Sequence, residues 1–211
     1  MAPWLRNALR YAAVAAILCT TNQAVAIECP SGRNPEQGFM LLTLGVLTVT
    51  TEVYRIHREE THIVIRAPRR PVIEETLYYG LIPIERIEGG RRTTFTPKSD
   101  LQRIFPLKVG ESHRLDFERR TQDGRSSVAH AEYKVVGEDR TTITGCVYDV
   151  FKVERSESLG KRPLQFVSTE WYAADIRMIL GREYRRQKGD LPYLQFYKYN
   201  VIIPMKERKG K

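Results

Sequence analysis

The chain has 211 residues, of which 34 are Lys or Arg and 25 are Asp or Glu, so its formal net charge is +9 at pH 7. This length favours one domain once a leader segment is removed. The positive charge favours an anionic surface, such as lipid head groups or acidic glycan, as a partner. The alternative is that the charged runs are simply solvated faces of the fold.

The first 26 residues have the pattern of a signal peptide. Arg6 and Arg10 precede an apolar run at 12–19, and Ala-Val-Ala at 24–26 matches the small–x–small cleavage pattern. The alternative is a buried N-terminal helix. We therefore predict cleavage after Ala26 and a periplasmic or secreted protein, for which nucleic acid is a poor partner. Because no later segment is long and apolar enough to cross a bilayer, we do not expect an integral membrane protein after cleavage.

The first half of the remaining chain reads as strands separated by turn signals. Residues 39–57 form one long apolar run bent at Gly45, and shorter runs follow at 61–67, 72–81, 82–87 and 92–96. The run at 61–67 alternates polar and apolar side chains, as a half-buried strand does. One short helix is predicted near 98–105, where Ser99 is positioned to cap the first turn and Pro106 ends it.

The second half continues the same pattern up to a basic, flexible tail at 206–211. Asp123-Gly124 is a hairpin turn signal, Asp139-Arg140 marks a further turn, and Gly145 breaks the run after it. A loop is predicted at 156–163, and strands at 111–120, 126–136, 141–144, 147–155, 164–172, 176–186 and 193–203. We predict a mainly β fold with minor α content over residues 27–205, in which an antiparallel curved sheet forms a half-barrel or a sandwich.

Residues 105–186 resemble a class of exported bacterial domains of unknown function. The resemblance is carried by Phe-Pro-Leu-Lys-Val-Gly at 105–110, Val-Val-Gly-Glu at 135–138, a Gly-to-Glu segment at 145–154, and Trp-Tyr at 171–172 followed by arginines at 182–185. It implies a curved antiparallel sheet in the periplasm, similar to the open barrels that carry lipid or lipoprotein. It implies no catalytic residues.

Two cysteines, Cys29 and Cys146, are expected in the mature protein. In an oxidising compartment they are predicted to form one disulfide between the N-terminal end and a mid-chain turn. The alternative is two unrelated buried thiols. No metal or cofactor site is expected, because zinc requires three or four converging ligands and the four histidines have no such partners at a known spacing.

Aromatic side chains recur along the predicted strands. On the inner side of a curved sheet they could line an apolar cavity, or they could simply fill the core. The candidate lining residues are Tyr133, Tyr148, Phe151, Phe166 and Trp171. We therefore predict a non-enzymatic binding or scaffold protein that holds an apolar ligand or an envelope partner on its curved sheet.

The alternative function is an envelope hydrolase that acts on glycan or lipid through Asp149, Glu170 or Asp175. A buried carboxylate with a raised pKa is a candidate for catalysis, although a carboxylate among arginines is more often part of a structural ion pair. Two carboxylates that converge in a cleft would support glycoside hydrolysis.

Overall fold

The structure of the protein is a computed structural model that describes residues 28–33, 37–44, 48–55, 59–160, 166–185 and 196–205. The predicted signal peptide at 1–26 and the predicted basic tail at 206–211 lie outside the described residues. The described strands are β1 (Phe39–Thr43), β2 (Val49–Arg55), β3 (Glu60–Arg66), β4 (Ile73–Tyr78), β5 (Ile82–Glu88), β6 (Arg91–Pro97), β7 (Ser112–Thr121), β8 (Ser126–Ile143), β9 (Cys146–Leu159), β10 (Phe166–Ala173), β11 (Met178–Arg185), β12 (Phe196–Lys198) and β13 (Val201–Pro204).

All 13 described strands belong to one antiparallel sheet. From β1 to β12 each strand pairs with the next one along the chain, whereas β13 returns to pair with β1. The mostly short connections between consecutive strands account for this order, since such connections join antiparallel neighbours. The predicted antiparallel curved-sheet fold is confirmed, as a single sheet rather than two sheets packed face to face.

The last extended segment joins the two edges of the sheet. β12 pairs with β11, whereas β13 pairs with β1. Between them, the Tyr199 N–H donates to the Leu180 carbonyl at 3.1 Å and the Asn200 N–H donates to the Leu42 carbonyl at 2.9 Å. The sheet therefore curves until β11 and β1 lie on either side of one segment, 196–204, which we call the seam.

The regions predicted as single strands at 39–57 and 193–203 are each divided. The first is the hairpin of β1 and β2, in which Thr43 pairs with Val49 and the Thr43 Oγ1 accepts from the Val49 N–H at 2.9 Å. Its connecting residues are apolar or small, so hydrophobicity alone did not reveal the turn. The second is divided at the seam, because its two halves pair with opposite edges.

The turn predicted at Asp139-Arg140 lies inside β8 instead. Two cross-strand ion pairs hold these residues on β9, from Arg140 to Asp149 at 2.9 Å and from Lys152 to Asp139 at 3.1 Å. Such pairs stabilise a strand that its turn propensity alone disfavours. The actual turn is Thr144-Gly145, where φ is 48° and 79°, as a two-residue hairpin turn requires. β9 also continues through much of the predicted loop at 156–163.

The short helix predicted near 98–105 is a 3-10 helix over Leu101–Ile104. Asp100 caps it, because its Oδ1 accepts from the Gln102 N–H at 2.9 Å, so the assignment of Ser99 as the cap was wrong. Leu101 and Ile104 are buried on the inner side of the sheet. The helix is thus part of the connection between β6 and β7, and it adds two apolar side chains to the core.

Side chains alternate between a buried inner face and a charged outer face, as pleated strands require. The inner face contains two apolar clusters. The first includes Phe39, Leu41, Ile63, Tyr148, Ile176, Leu180 and Ile202. The second includes Leu81, Ile82, Ile104, Leu115, Phe117, Tyr133 and Tyr172.

The structure contains the predicted disulfide between Cys29 and Cys146, whose Cα atoms are 5.6 Å apart. Residues after Cys29 are held by two further contacts. The Tyr148 hydroxyl donates to the Pro30 carbonyl at 3.2 Å, and the Gly32 N–H donates to the Asp175 Oδ1 at 3.0 Å. The segment 28–33 therefore contacts both β9 and the β10–β11 turn.

Candidate functional site

Charged side chains lie on the inner face of β9, β10 and β11, toward the strand ends far from the disulfide. The register aligns Arg155 with Ser168 and Ser168 with Tyr184, and it aligns Glu170 with Arg182. Tyr133 of β8 lies opposite Arg155. We call this set the inner charged cluster: Tyr133, Arg155, Glu157, Ser168, Glu170, Arg182 and Tyr184.

Glu170 is the centre of the cluster and its side chain is 0% exposed. Its Oε1 lies 2.8 Å from the Arg182 Nε and 3.6 Å from an Arg155 amino nitrogen. The Ser168 hydroxyl donates to the same oxygen at 3.4 Å. Arg155 also pairs with Glu157, so the buried charges are compensated, as burial of a charge requires.

Three buried polar atoms of the cluster lack a hydrogen-bond partner in the described part of the chain: the Tyr133 hydroxyl, the Arg155 Nε and the Glu170 Oε2. Each buried polar atom without a hydrogen-bond partner lowers the stability of the fold by about 1–3 kcal/mol. Burial raises the pKa of Tyr133, although the positive charge of Arg155 opposes this, so the phenol stays protonated at neutral pH and can donate. A water molecule or a polar ligand group would be stabilised here.

The charged part of the inner face becomes more exposed away from Glu170. The side chains of Arg155, Arg182 and Glu157 are 11%, 20% and 27% exposed. On the inner face of β4 and β5, Glu75 and Arg86 form a 2.8 Å ion pair and are 17% and 39% exposed. The inner face therefore passes from packed apolar clusters to charged groups that water reaches.

The aromatic residues predicted to line a cavity lie in two places. Tyr133 is buried in the second cluster and Phe151 packs against it. Tyr148 is buried in the first cluster, against which Trp171 packs. The Phe166 side chain lies outside the described residues. The other four are thus divided between two clusters, and a single cavity lined by all five residues stays a prediction.

The three carboxylates considered for hydrolysis lie on different surfaces. Glu170 is buried on the inner face between two arginines. Asp149 is 83% exposed on the outer face and pairs with Arg140. Asp175 is in the β10–β11 turn and accepts from the Gly32 N–H. The structure does not bring them together, so they form no site with two converging carboxylates.

The outer face has a shallow groove of about 210 Å³, lined by Arg114, His130, Ala131, Glu132, Ser156 and Ser158. The His130 Nδ1 lies 2.6 Å from the Asp116 Oδ1, and this hydrogen bond lowers the pKa of Asp116. Ser158 lies opposite His130 in the register, but the described structure has no hydrogen bond between their side chains. The groove therefore holds an acid–imidazole pair without an activated hydroxyl.

Among the described residues, no group of three or more His, Cys, Asp or Glu is arranged to hold a metal ion. No described helix is long and apolar enough to cross a membrane. Sequence reasoning identified Glu170 as a buried carboxylate but missed Arg155 and Arg182 as its partners. The available signal was period-two alternation, because all three residues take inward positions on their strands.

No family model and no curated protein matches the chain. The solved structures that are similar to it include the following two. The hypothetical lipoprotein YmcC from Escherichia coli K12 has 12% sequence identity and a TM-score of 0.46, over 83% of this chain and 88% of that chain. A protein with a YmcC-like fold from Bacteroides fragilis has 11% identity and a TM-score of 0.37, over 79% of this chain and 94% of that chain.

Proposed function

We propose that the protein is an exported, non-enzymatic binding protein whose curved sheet takes up an amphipathic ligand. The apolar part of the ligand would pack against the inner apolar clusters, and its polar head would meet the inner charged cluster. Export is supported by the signal-peptide pattern and by the disulfide, since disulfides persist in oxidising compartments.

One observation carries the proposal: polar and charged groups, some of whose hydrogen-bonding atoms have no partner among the described residues, lie beside apolar clusters on the same inner face. A core that only had to be stable would gain little from Glu170, Arg155 and Arg182, because a buried ion pair rarely stabilises more than well-packed apolar side chains. Binding sites combine an apolar lining with a few placed polar groups. The cluster supplies both donors, at Tyr133 and Arg155, and an acceptor, at Glu170.

Native mass spectrometry of gently purified protein, followed by titration with a fluorescent fatty acid, tests the proposal. We expect a bound mass or saturable uptake by the wild type. Arg182→Gln should weaken uptake by about tenfold or more, because it removes a charged hydrogen-bond donor. Arg140→Gln is the matched control, since Arg140 is 71% exposed on the outer face, and it should bind as the wild type does.

Tyr133→Phe is a second variant that removes one hydroxyl and is expected to fold even if Arg182→Gln does not. A weakened uptake by this variant supports a polar head group at the cluster. A clean apo mass of the wild type, together with no uptake of the fatty acid, would contradict the proposal.

A further inference from the structure

We propose that the outer face at the seam is a docking surface for an anionic lipid bilayer. Register places Leu42 beside Val201 and Met40 beside Ile203 on one face of β1 and β13, and Leu44 follows at the end of β1. We call these five side chains the seam patch. Leu44 is 61% exposed and Ile203 is 43% exposed, so apolar groups meet water on a face that is elsewhere rich in ion pairs.

Cross-strand neighbours have Cβ atoms about 4.5–5.5 Å apart, so the members of the seam patch form one continuous surface. Contiguous exposed apolar surface on a folded protein marks an interaction site more often than isolated side chains do. The neighbouring strand β2 adds Tyr54, which is 36% exposed and whose hydroxyl donates to Glu52 at 2.8 Å. An amphipathic tyrosine of this kind suits the boundary between lipid and water.

Basic side chains lie beside the seam patch. Arg66 pairs across the sheet with Thr50, which in turn pairs with Leu42, so Arg66 is two strands, or about 10 Å, from the patch. Its charge is compensated there by Glu52, at 3.3 Å, so the net positive charge comes from the next two arginines. Arg69 and Arg70 follow in the exposed turn after β3, at the same end of the sheet as Leu44. When the apolar side chains insert into a bilayer, these arginines would lie at the level of the phosphate head groups and could contact them.

The net charge decides between a bilayer and a second copy of the protein. Loss of Arg6 and Arg10 at the predicted cleavage lowers the formal charge from +9 to +7. Long-range repulsion therefore opposes the approach of a second copy, whereas an anionic bilayer attracts the protein. This inference does not rest on ligand binding by the inner face, because the seam patch points outward. Ligand binding by the inner face and bilayer binding by the seam patch can therefore be disproved independently of each other.

Co-sedimentation with phosphatidylcholine vesicles, with and without phosphatidylglycerol, tests the inference. We expect the wild type to bind only the vesicles that contain phosphatidylglycerol and to dissociate at high salt. Arg69→Gln with Arg70→Gln should weaken binding by about twenty-five-fold, since each basic residue near an anionic surface changes affinity by about fivefold. Leu44→Ser with Ile203→Ser should weaken it by about tenfold.

Val109→Ser with Val128→Ser is the matched control, because these side chains are 52% and 39% exposed and lie away from the seam. This control should bind vesicles as the wild type does, and both apolar double variants should retain uptake of the fatty acid. The inference is overturned if the wild type binds neither vesicle, if it binds both equally, or if the Leu44 and Ile203 double variant binds as tightly as the wild type. A wild-type dimer that the same double variant dissociates, without vesicle binding, would assign the patch to self-association and also overturn it.

Discussion

At the scale of the residue, Glu170 shows how this protein compensates a buried charge. Its carboxylate is 0% exposed and lies 2.8 Å from the nearest arginine nitrogen. Two guanidinium groups and one hydroxyl surround one oxygen, while the other oxygen has no hydrogen-bond partner among the described residues. Positive charge therefore compensates one carboxylate oxygen of Glu170, whereas the other oxygen can still accept a hydrogen bond.

Replacement of Glu170 by Gln should lower the free energy of unfolding by about 3 kcal/mol, because it removes the negative charge that Arg155 and Arg182 both face in a buried site. Asp149→Asn makes the same chemical change at a carboxylate that is 83% exposed, and it should change stability by less than about 0.5 kcal/mol. Urea denaturation of both variants measures the difference. Equal effects would mean that the ion pairs of Glu170 contribute nothing to folding.

Two buried tyrosines give a second comparison at this scale. The Tyr199 hydroxyl is hydrogen-bonded to the Thr51 Oγ1 at 2.7 Å, whereas the Tyr133 hydroxyl has no partner in the described structure. Tyr199→Phe should therefore cost about 1 kcal/mol, while Tyr133→Phe in ligand-free protein should be neutral or stabilising by up to about 1 kcal/mol. Thermal or urea unfolding measures both. A loss at Tyr133 as large as that at Tyr199 would show that the Tyr133 phenol already has a bound partner.

At the scale of the element, the turns at the disulfide end of the sheet pack against each other. Arg177 of the β10–β11 turn lies with its guanidinium 4.4 Å from the centroid of the Tyr79 ring, in the β4–β5 turn. Gly80 follows with φ of 69°, and a Cβ there would lie 1.6 Å from the Arg177 carbonyl oxygen. The two turns approach so closely because one of them has no side chain at this position.

Gly80→Ala should lower the free energy of unfolding by about 3 kcal/mol, through backbone strain and overpacking together. Gly90→Ala isolates the strain, because Gly90 has φ of 78° and no atom lies within 4 Å of the place that a Cβ would take, and it should cost about 1 kcal/mol. Chemical denaturation of the two variants shows whether Gly80→Ala is the more destabilising change. Equal losses would show that the turn can move away from Arg177.

At the scale of the whole molecule, two long-range connections hold the curved sheet. The disulfide links residues separated by 117 positions, and the seam joins the two edges of the sheet. They meet at the β8–β9 turn, since the Ile202 N–H donates to the Thr144 Oγ1 at 3.1 Å and Cys146 begins β9. The disulfide and the seam therefore constrain the same corner.

Replacement of Cys29 and Cys146 by Ser should lower the free energy of unfolding by about 4–5 kcal/mol, because the bridge closes a long loop in the unfolded chain. Reductant should destabilise the wild type to the level of the double variant and leave the variant unchanged. Denaturation with and without reductant makes the comparison. If the reductant has no effect on the wild type, the disulfide is absent from the protein in solution.

Local signals predicted the elements that depend on neighbouring residues. The Asp123-Gly124 hairpin, the break at Gly145 and the strand near 61–67 were readable because turn chemistry and period-two alternation are properties of a few consecutive residues. The disulfide followed from cysteine count and compartment. The Asp139-Arg140 turn was wrong because cross-strand partners on β9 outweighed the local turn propensity of these two residues.

Composition, alternation and turn residues were sufficient to determine a curved antiparallel sheet with one cystine. Only the tertiary structure decided that 196–204 joins both edges, that Arg155 and Arg182 enclose Glu170, and that apolar side chains are exposed at the seam. These features depend on strand register and on contacts between residues far apart in the chain. A single sequence does not encode them in any local pattern, because many registers bury the same alternating side chains equally well.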